Sequence, residues 1–141
     1  MPTEVENVIK KDEGQKVEFK ESLKLKKEIG ETVSAFSNTN DGIILIGVTH
    51  SRGIKGVEIG KKTLEDLANY INMNSDPKIY PEINLHQIED KVIVEVKIKE
   101  SEEKPVFYNT HAFKRVGRTN QKMSSDEIRK LAREEKKKIG V

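Results

Sequence analysis

The feature that most constrains this chain is an uninterrupted apolar run, IILIGV at residues 43–48, which directly follows the turn-forming stretch NTNDG at residues 38–42. A short apolar run that is bounded by glycines and rich in isoleucine and valine is typical of a strand covered on both faces. Turn residues immediately before the run indicate where the strand begins. The sequence therefore predicts a central, fully buried strand at this place.

Helices and hairpins are predicted on either side of this strand, without a regular βαβ repeat. Helical spacing and capping residues predict helices at 4–11, at 25–37, from 63 to before Pro77, and from 124 to about 136. Alternating patterns predict strands at 16–20, 54–57, 83–88, 92–98, 106–108 and 112–116, the last four as two antiparallel hairpins. Thr63 and Asp66 are expected to cap the third helix, and Asn38 and Thr39 the second. The predicted fold class is α+β, a single domain spanning residues 1–141 whose mixed, mostly antiparallel sheet packs against helices.

Composition excludes several classes of protein. The chain has no cysteine, which rules out disulfides and thiolate metal ligands, and its three histidines, His50, His86 and His111, lack the spacing of a zinc site. No run approaches the ~20 apolar residues that span a bilayer, and the first residues lack the pattern of a secretory signal. We therefore expect a cytoplasmic protein without zinc and without a membrane anchor.

Charge is distributed unevenly along the chain, although the formal net charge is only +2. Acidic residues gather between residues 82 and 103, whereas none occurs between Lys104 and Ser125. That second segment interleaves basic and aromatic side chains, which are Lys104, Phe107, Tyr108, Phe113, Lys114, Arg115, Arg118 and Lys122. Basic groups neutralise phosphates and aromatic rings stack on unpaired bases, so the pattern favours a nucleic-acid ligand. The alternative is two solvated faces of opposite charge.

Four segments, taken in order, resemble the AlbA-like domain of Schlafen proteins and of many prokaryotic transcriptional regulators. They are EGQKVEFK at 13–20, VSAFSNTNDGIILIGV at 33–48, GIKG at 53–56 and FKRVGRTNQKM at 113–123. Each segment alone is common, but their order and spacing extend over residues 12–131, the expected core of the domain. The resemblance implies an α+β fold that binds nucleic acid.

The resemblance also implies a candidate metal site. Ribonuclease members of the family hold a divalent cation with three carboxylates, two of which match Glu13 and Glu18 here. Mg²⁺ and Mn²⁺ prefer oxygen ligands and can activate water for phosphate cleavage. The third acid is expected after the Ile-Gly-Val strand, where this chain has Thr49 and His50, so His50 is a candidate substitute ligand or general base. The alternatives are that the glutamates pair with surface lysines and that His50 is an ordinary loop residue.

Candidate phosphate contacts are basic residues near the first and last motifs. They are Lys20, Lys24, Lys114, Arg115, Arg118 and Lys122, for which a solvated surface is the alternative role. The favoured function is RNA binding, with tRNA-like RNA as the ligand class, and metal-dependent endoribonuclease activity is left open. The alternatives are a DNA-binding or transcription-regulator-type module without catalysis, a nucleotide-binding regulatory module, and a scaffold for acidic proteins. The sequence contains neither a P-loop nor a Rossmann fingerprint.

The single copy of the motif set bears on the oligomeric state. In Schlafen proteins two such modules lie within one chain and clasp nucleic acid between them. Because this sequence carries one copy, the resemblance implies that two chains associate as a homodimer.

Overall fold

The predicted central strand is present at Gly42–Ile46, in a computed structural model that describes residues 2–138. The helices are α1 (Glu4–Lys11), α2 (Lys26–Thr39), α3 (Thr63–Met73) and α4 (Ser125–Lys138). The strands are β1 (Val17–Lys20), β2 (Gly42–Ile46), β3 (Ser75–Asp76), β4 (Glu82–Ile88), β5 (Lys91–Ile98), β6 (Phe107–Tyr108), β7 (His111–Val116) and β8 (Thr119–Lys122). These elements confirm the predicted α+β class. Within residues 2–138, no helix has both the length and the apolar character needed to cross a bilayer.

The first sheet has the strand order β1-β2-β5-β4 and is covered on both faces, as the apolar run predicts. β1 and β2 are parallel, whereas β5 is antiparallel to both of its neighbours. On one face α2 and α3 pack against β2 and β5, with Phe36, Ile44 and Val96 in the buried cluster. On the other face α1 contributes Ile9 to a second buried cluster around Phe19. The central strand β2 therefore supplies side chains to both halves of the core.

The second sheet has the strand order β3-β6-β7-β8, so β8 is an edge strand. This sheet packs on α2. The closest approach is at Gly30 of α2, where a Cβ atom would lie 2.1 Å from the ring of Tyr108. Only glycine permits this approach. The Tyr108 hydroxyl forms a hydrogen bond with the hydroxyl of Tyr70 on α3. Burial and this hydrogen bond raise the pKa of Tyr108 above its ordinary value, so the phenol stays neutral.

Three features of the strands differ from the prediction. The strands form two sheets rather than one, because the second hairpin packs on α2 instead of extending the first sheet. Residues 54–57 form an isolated bridge rather than a strand, because Lys55 and Gly56 both donate their N–H groups to the Gly47 carbonyl, at 2.8 and 2.9 Å. β8 was not predicted, since its four residues are all polar and show no apolar alternation.

The predicted helix capping is confirmed for α4 and wrong for α3. At α4, Ser124 and Glu127 exchange hydrogen bonds between side chain and backbone, at 3.0 and 3.1 Å. Helix α3 begins after Lys62 without a side-chain cap. The hydroxyl of Thr63 instead accepts a hydrogen bond from the Gly60 N–H at 2.7 Å, which stabilises the preceding turn.

Substitution of Gly30 tests the contact between α2 and the second sheet. Gly30→Ala is expected to lower the free energy of unfolding by about 1–3 kcal/mol, because the methyl group displaces the Tyr108 ring. Gly14→Ala is the matched control, since a Cβ there meets nothing within 4 Å, and its effect is expected to stay within about 1 kcal/mol. Urea denaturation measures both values. An unchanged midpoint for Gly30→Ala would show that the helix and the sheet are not in such close contact.

Candidate functional site

Arg115, expected to contact phosphate, lies inside the protein, and its side chain is 0% exposed. Nε and Nη2 donate to the Gly14 carbonyl at 3.2 and 2.8 Å, and Nη2 also donates to the Val17 carbonyl at 2.8 Å. Nη1 donates to Glu18 Oε1 at 2.6 Å and to Asn120 Oδ1 at 2.8 Å. These bonds use the five N–H donors of a guanidinium. In this structure Arg115 is therefore not available to a phosphate, because the group is buried and each of its donors has a partner.

Glu18 neutralises this guanidinium and is shared with a second cation, Lys20. Glu18 Oε2 lies 2.9 Å from Lys20 Nζ, which also donates to Glu28 Oε1 at 3.0 Å. Burial by itself lowers the pKa of Lys20, but the hydrogen bonds and charges of Glu18 and Glu28 outweigh burial, so the pKa lies above its ordinary value. Stabilisation from this pairing is present at neutral pH and is lost only as the pH rises through that raised pKa. We call Glu18, Lys20 and Arg115 the buried ion network.

Two side-chain amides extend this network and connect the two sheets. Gln15 Nε2 donates to the Arg115 carbonyl at 2.9 Å, and Gln15 Oε1 accepts from the Gly117 N–H at 2.7 Å. Asn120 Nδ2 donates to the hydroxyl of Thr32 on α2 at 2.7 Å. The turn between β7 and β8 is thereby fixed beside the segment 13–20. The sequence predicted no role for Gln15 or Asn120. Their position within the motifs at 13–20 and 113–123 was the only indication that they matter.

Asn38 and Thr39, expected to cap α2, bind the second sheet instead. Asn38 Nδ2 donates to the carbonyls of Val106 and Phe113, each at 2.9 Å, and its Oδ1 accepts from the Val106 N–H at 2.7 Å. The Thr39 hydroxyl accepts from the Arg115 N–H at 2.9 Å. The capping prediction is wrong because both residues lie inside the last turn of α2, where their side chains face β6 and β7.

The remaining basic candidates divide into paired and free side chains. Lys20 belongs to the buried ion network and is itself buried, so it is not available to a ligand. Lys114 pairs with Glu127 of α4, and the hydrogen bond from Lys114 lowers the pKa of the Glu127 carboxyl. The exposed candidates that form no ion pair within residues 2–138 are Lys24, Arg118 and Lys122. Of the six basic candidates, only these three can reach a phosphate without breaking an ion pair that the described residues form.

Glu13 and His50, two of the candidate catalytic residues, lie together. Glu13 is buried, with its side chain 4% exposed, and its Oε2 accepts from the Phe19 N–H at 3.0 Å. Its Oε1 lies 2.7 Å from Nδ1 of His50, whose side chain is 62% exposed. A carboxylate at Nδ1 favours the tautomer with its proton on that nitrogen, which leaves Nε2 as a base facing solvent. Among the candidate residues, this pair most resembles a general base, because a carboxylate orients an imidazole that solvent can reach.

The donor set does not fit the expected Mg²⁺ or Mn²⁺ site at Glu13 and Glu18. Such cations need several oxygen ligands that converge on one point. Both oxygens of Glu18 face cationic side chains, Arg115 and Lys20, and both oxygens of Glu13 face hydrogen-bond donors. Within residues 2–138, no three His, Cys, Asp or Glu side chains are placed to hold a metal ion together. Glu18 acts as the counter-ion of Arg115 in this arrangement.

Removal of one charge from the buried ion network is expected to be strongly destabilising. Arg115→Met leaves Glu18 Oε1 and the Gly14 and Val17 carbonyls without the donors that Arg115 supplies, so we expect the free energy of unfolding to fall by about 3–5 kcal/mol. Arg118→Met is the matched control, an exposed arginine on the same hairpin, with an expected change below about 0.5 kcal/mol. Chemical denaturation measures both variants. Equal stability of the two variants would contradict the buried position of Arg115.

Known proteins provide an independent comparison. No protein with a curated description matches the chain. The fold is similar to that of the DIP2311 protein from Corynebacterium diphtheriae, with a TM-score of 0.69 and 17% identity over 84% of this chain, which spans only 24% of that protein's chain. It is also similar to the N-terminal domain of a putative ATP-dependent DNA helicase RecG-related protein from Nitrosomonas europaea, with a TM-score of 0.62 and 22% identity over 87% of this chain and 95% of that one. The sequence profile described as "Schlafen, AlbA_2" matches residues 13–124, so the chain belongs to the Schlafen, AlbA_2 family.

Proposed function

We propose that this chain binds nucleic acid through the β8 edge, which we define as the β7–β8 turn and strand β8, residues 117–122. Arg118 and Lys122 lie in this segment, and both are exposed and free of ion pairs within residues 2–138. Because β8 is an edge strand, one side of its backbone also faces outward. Free cations beside free backbone N–H groups are the groups with which proteins bind phosphates. This exposed, cationic edge is the observation that carries the proposal.

Rigid attachment of the β8 edge supports its role in binding. Asn120 is bonded to Arg115 and Thr32, and the Gly117 N–H is bonded to Gln15. The segment therefore needs little ordering when a ligand arrives, which reduces the entropic cost of association. The motif residues hold the binding segment in place and leave phosphate contact to their exposed neighbours.

RNA with unpaired nucleotides is the ligand class that we favour. The free cations of the β8 edge lie on a strand and a turn, rather than on a helix of the kind that enters the major groove of duplex DNA. Proteins recognise RNA sequence mainly at unpaired segments, whose bases are accessible. The homodimer implied by the single motif copy stays a prediction, which light scattering in the presence and absence of RNA tests directly.

The salt dependence of binding tests the β8 edge. For a single-stranded RNA, Arg118→Ala is expected to lower the slope of log Kobs against log salt by about 0.7, because one phosphate contact and its released counter-ions are lost. The double variant Arg118→Ala/Lys122→Ala is expected to lower it by about 1.4. Lys61→Ala is the control, since Lys61 is exposed but precedes α3, outside the β8 edge. Fluorescence anisotropy at several salt concentrations measures the slopes, and identical slopes for all variants would contradict the assignment.

The Glu13–His50 pair supports a second candidate function, cleavage of RNA by a general base. His50 Nε2 would take the proton of a ribose 2′-hydroxyl, the 2′-oxygen would bond to phosphorus, and the bond from phosphorus to the 5′-oxygen would break. The leaving oxygen would take a proton from water, giving a 2′,3′-cyclic phosphate and a 5′-hydroxyl end, and protonated His50 would return its proton to the hydroxide that remains. Glu13 would hold the imidazole in the required tautomer. The observation that favours this function is the exposed imidazole on a buried carboxylate.

Cleavage in EDTA tests the second function. The protein is expected to cut RNA but not DNA of the same sequence, because DNA lacks the 2′-hydroxyl. His50→Ala is expected to slow cleavage by about 100-fold or more, whereas His111→Ala, which removes another exposed histidine, is expected to leave it unchanged. Gel analysis of end-labelled strands measures the rates. Equal cleavage by His50→Ala, or cleavage of DNA at the same rate, would exclude His50 as the base.

A further inference from the structure

An open groove of about 670 Å³ lies at one end of the first sheet, outside the β8 edge. The strand register places Val17, Ile43, Lys97 and Glu82 side by side in one row across β1, β2, β5 and β4. Helix α1 packs over the same face further along, around Phe19. Val17 and Ile43, at the β1–β2 end of the row, are half-buried and pack against that cluster, and the row forms the floor of the groove.

The rim of this groove carries an excess of positive charge. Lys16 and Lys99 line it, and neither forms an ion pair within residues 2–138. Of the two acidic residues, Asp41 uses Oδ1 to accept from the Glu100 N–H at 2.7 Å. Glu82 lies 3.9 Å from Lys97, so these two floor charges offset each other. Asp41 keeps its negative charge, so three lysines against two carboxylates leave a small net positive charge at the groove, which suits an anionic ligand.

Tyr80 adds an exposed aromatic ring to the rim of the groove. Tyr80 is 80% exposed and lines the groove. Its backbone is held in place: Ile79 packs against the α2–α3 cluster and its carbonyl accepts from Asn72 Nδ2 at 3.3 Å. Pro81 on the other side restricts Tyr80 to extended conformations. The ring is thus displayed on a fixed backbone.

We propose that this groove is a subsite for an unpaired nucleotide of a bound nucleic-acid strand. The Tyr80 ring stacks on the base, Val17 and Ile43 supply an apolar floor, and Lys16 and Lys99 bind the flanking phosphates. An exposed aromatic ring beside lysines is the combination that holds unpaired bases, whereas the base faces of a duplex are already stacked. This subsite rests on the proposed nucleic-acid binding. It specifies that the protein contacts unpaired segments of the nucleic acid.

The groove is linked to the β8 edge through two consecutive residues, Gln15 and Lys16. Gln15 bonds the Gly117 N–H at the start of that edge, and the next residue, Lys16, lines the groove. In this proposal, a strand that contacts Arg118 passes Lys16 and reaches Tyr80. The β8 edge would bind the phosphates of the strand, and the subsite would add a preference for unpaired bases.

The test measures binding to a fluorescein-labelled 12-nucleotide RNA and to the duplex of the same RNA. Four forms of the full chain are compared: the unchanged protein, Tyr80→Ala, Tyr80→Phe and Met73→Ala. Tyr80→Ala is expected to weaken binding of the single strand about tenfold, because one stacking contact is lost, and to leave duplex binding unchanged. Tyr80→Phe retains the ring and is expected to bind as the unchanged protein does. Met73→Ala, which truncates another strongly exposed apolar side chain outside the groove, is expected to have no effect.

The outcomes separate this proposal from the proposed function. If the unchanged protein binds neither RNA at any salt concentration, the nucleic-acid function itself fails. If it binds the single strand and Tyr80→Ala binds equally well, the subsite alone is wrong. Equal weakening of single-strand and duplex binding by Tyr80→Ala would also overturn the subsite, because stacking on an unpaired base cannot affect a duplex. Loss of binding in both Tyr80→Ala and Tyr80→Phe would assign the effect to the hydroxyl and contradict stacking.

Discussion

The ion pair between Arg115 and Glu18 is the interaction on which the arrangement of the two sheets depends. Transfer of two charges from water to the interior is unfavourable by several kcal/mol per ion, and a buried pair is tolerated only when its geometry is good and its other donors are satisfied. Here all donors of Arg115 have partners, and Lys20 balances the second oxygen of Glu18. Because β7 carries the arginine and β1 carries the glutamate, the pair fixes one sheet against the other.

This arrangement changes how the family motifs relate to function. The last motif supplies Arg115 and Asn120, and the first supplies Gln15 and Glu18, yet the contacts of these side chains are with one another. The motifs therefore build the connection between the sheets, and the proposed ligand contacts belong to residues that the connection holds in place, such as Arg118. The two glutamates, close in sequence, have separate roles, since Glu18 is a counter-ion and Glu13 orients His50.

Local sequence patterns predicted most of the first sheet and much less of the site. The apolar run at 43–48, the helical periodicity of α1 and α2 and the alternation in β4 and β5 depend on neighbouring residues, so they can be read from a short window. The role of Arg115 depends on Glu18, which lies 97 residues away, and no local pattern distinguishes a buried arginine from an exposed one. The polar strand β8 was missed for a related reason, because Asn120 is held by hydrogen bonds rather than by apolar packing.

The Nε–H signals of the two arginines in NMR spectra distinguish a structural Arg115 from a ligand-binding Arg118. During titration with single-stranded RNA, the Arg118 signal is expected to shift and to return at high salt. The Arg115 signal, whose Nε–H donates to the Gly14 carbonyl, is expected to stay in place and to exchange slowly with water. A shift of the Arg115 signal as large as that of Arg118 would contradict the account.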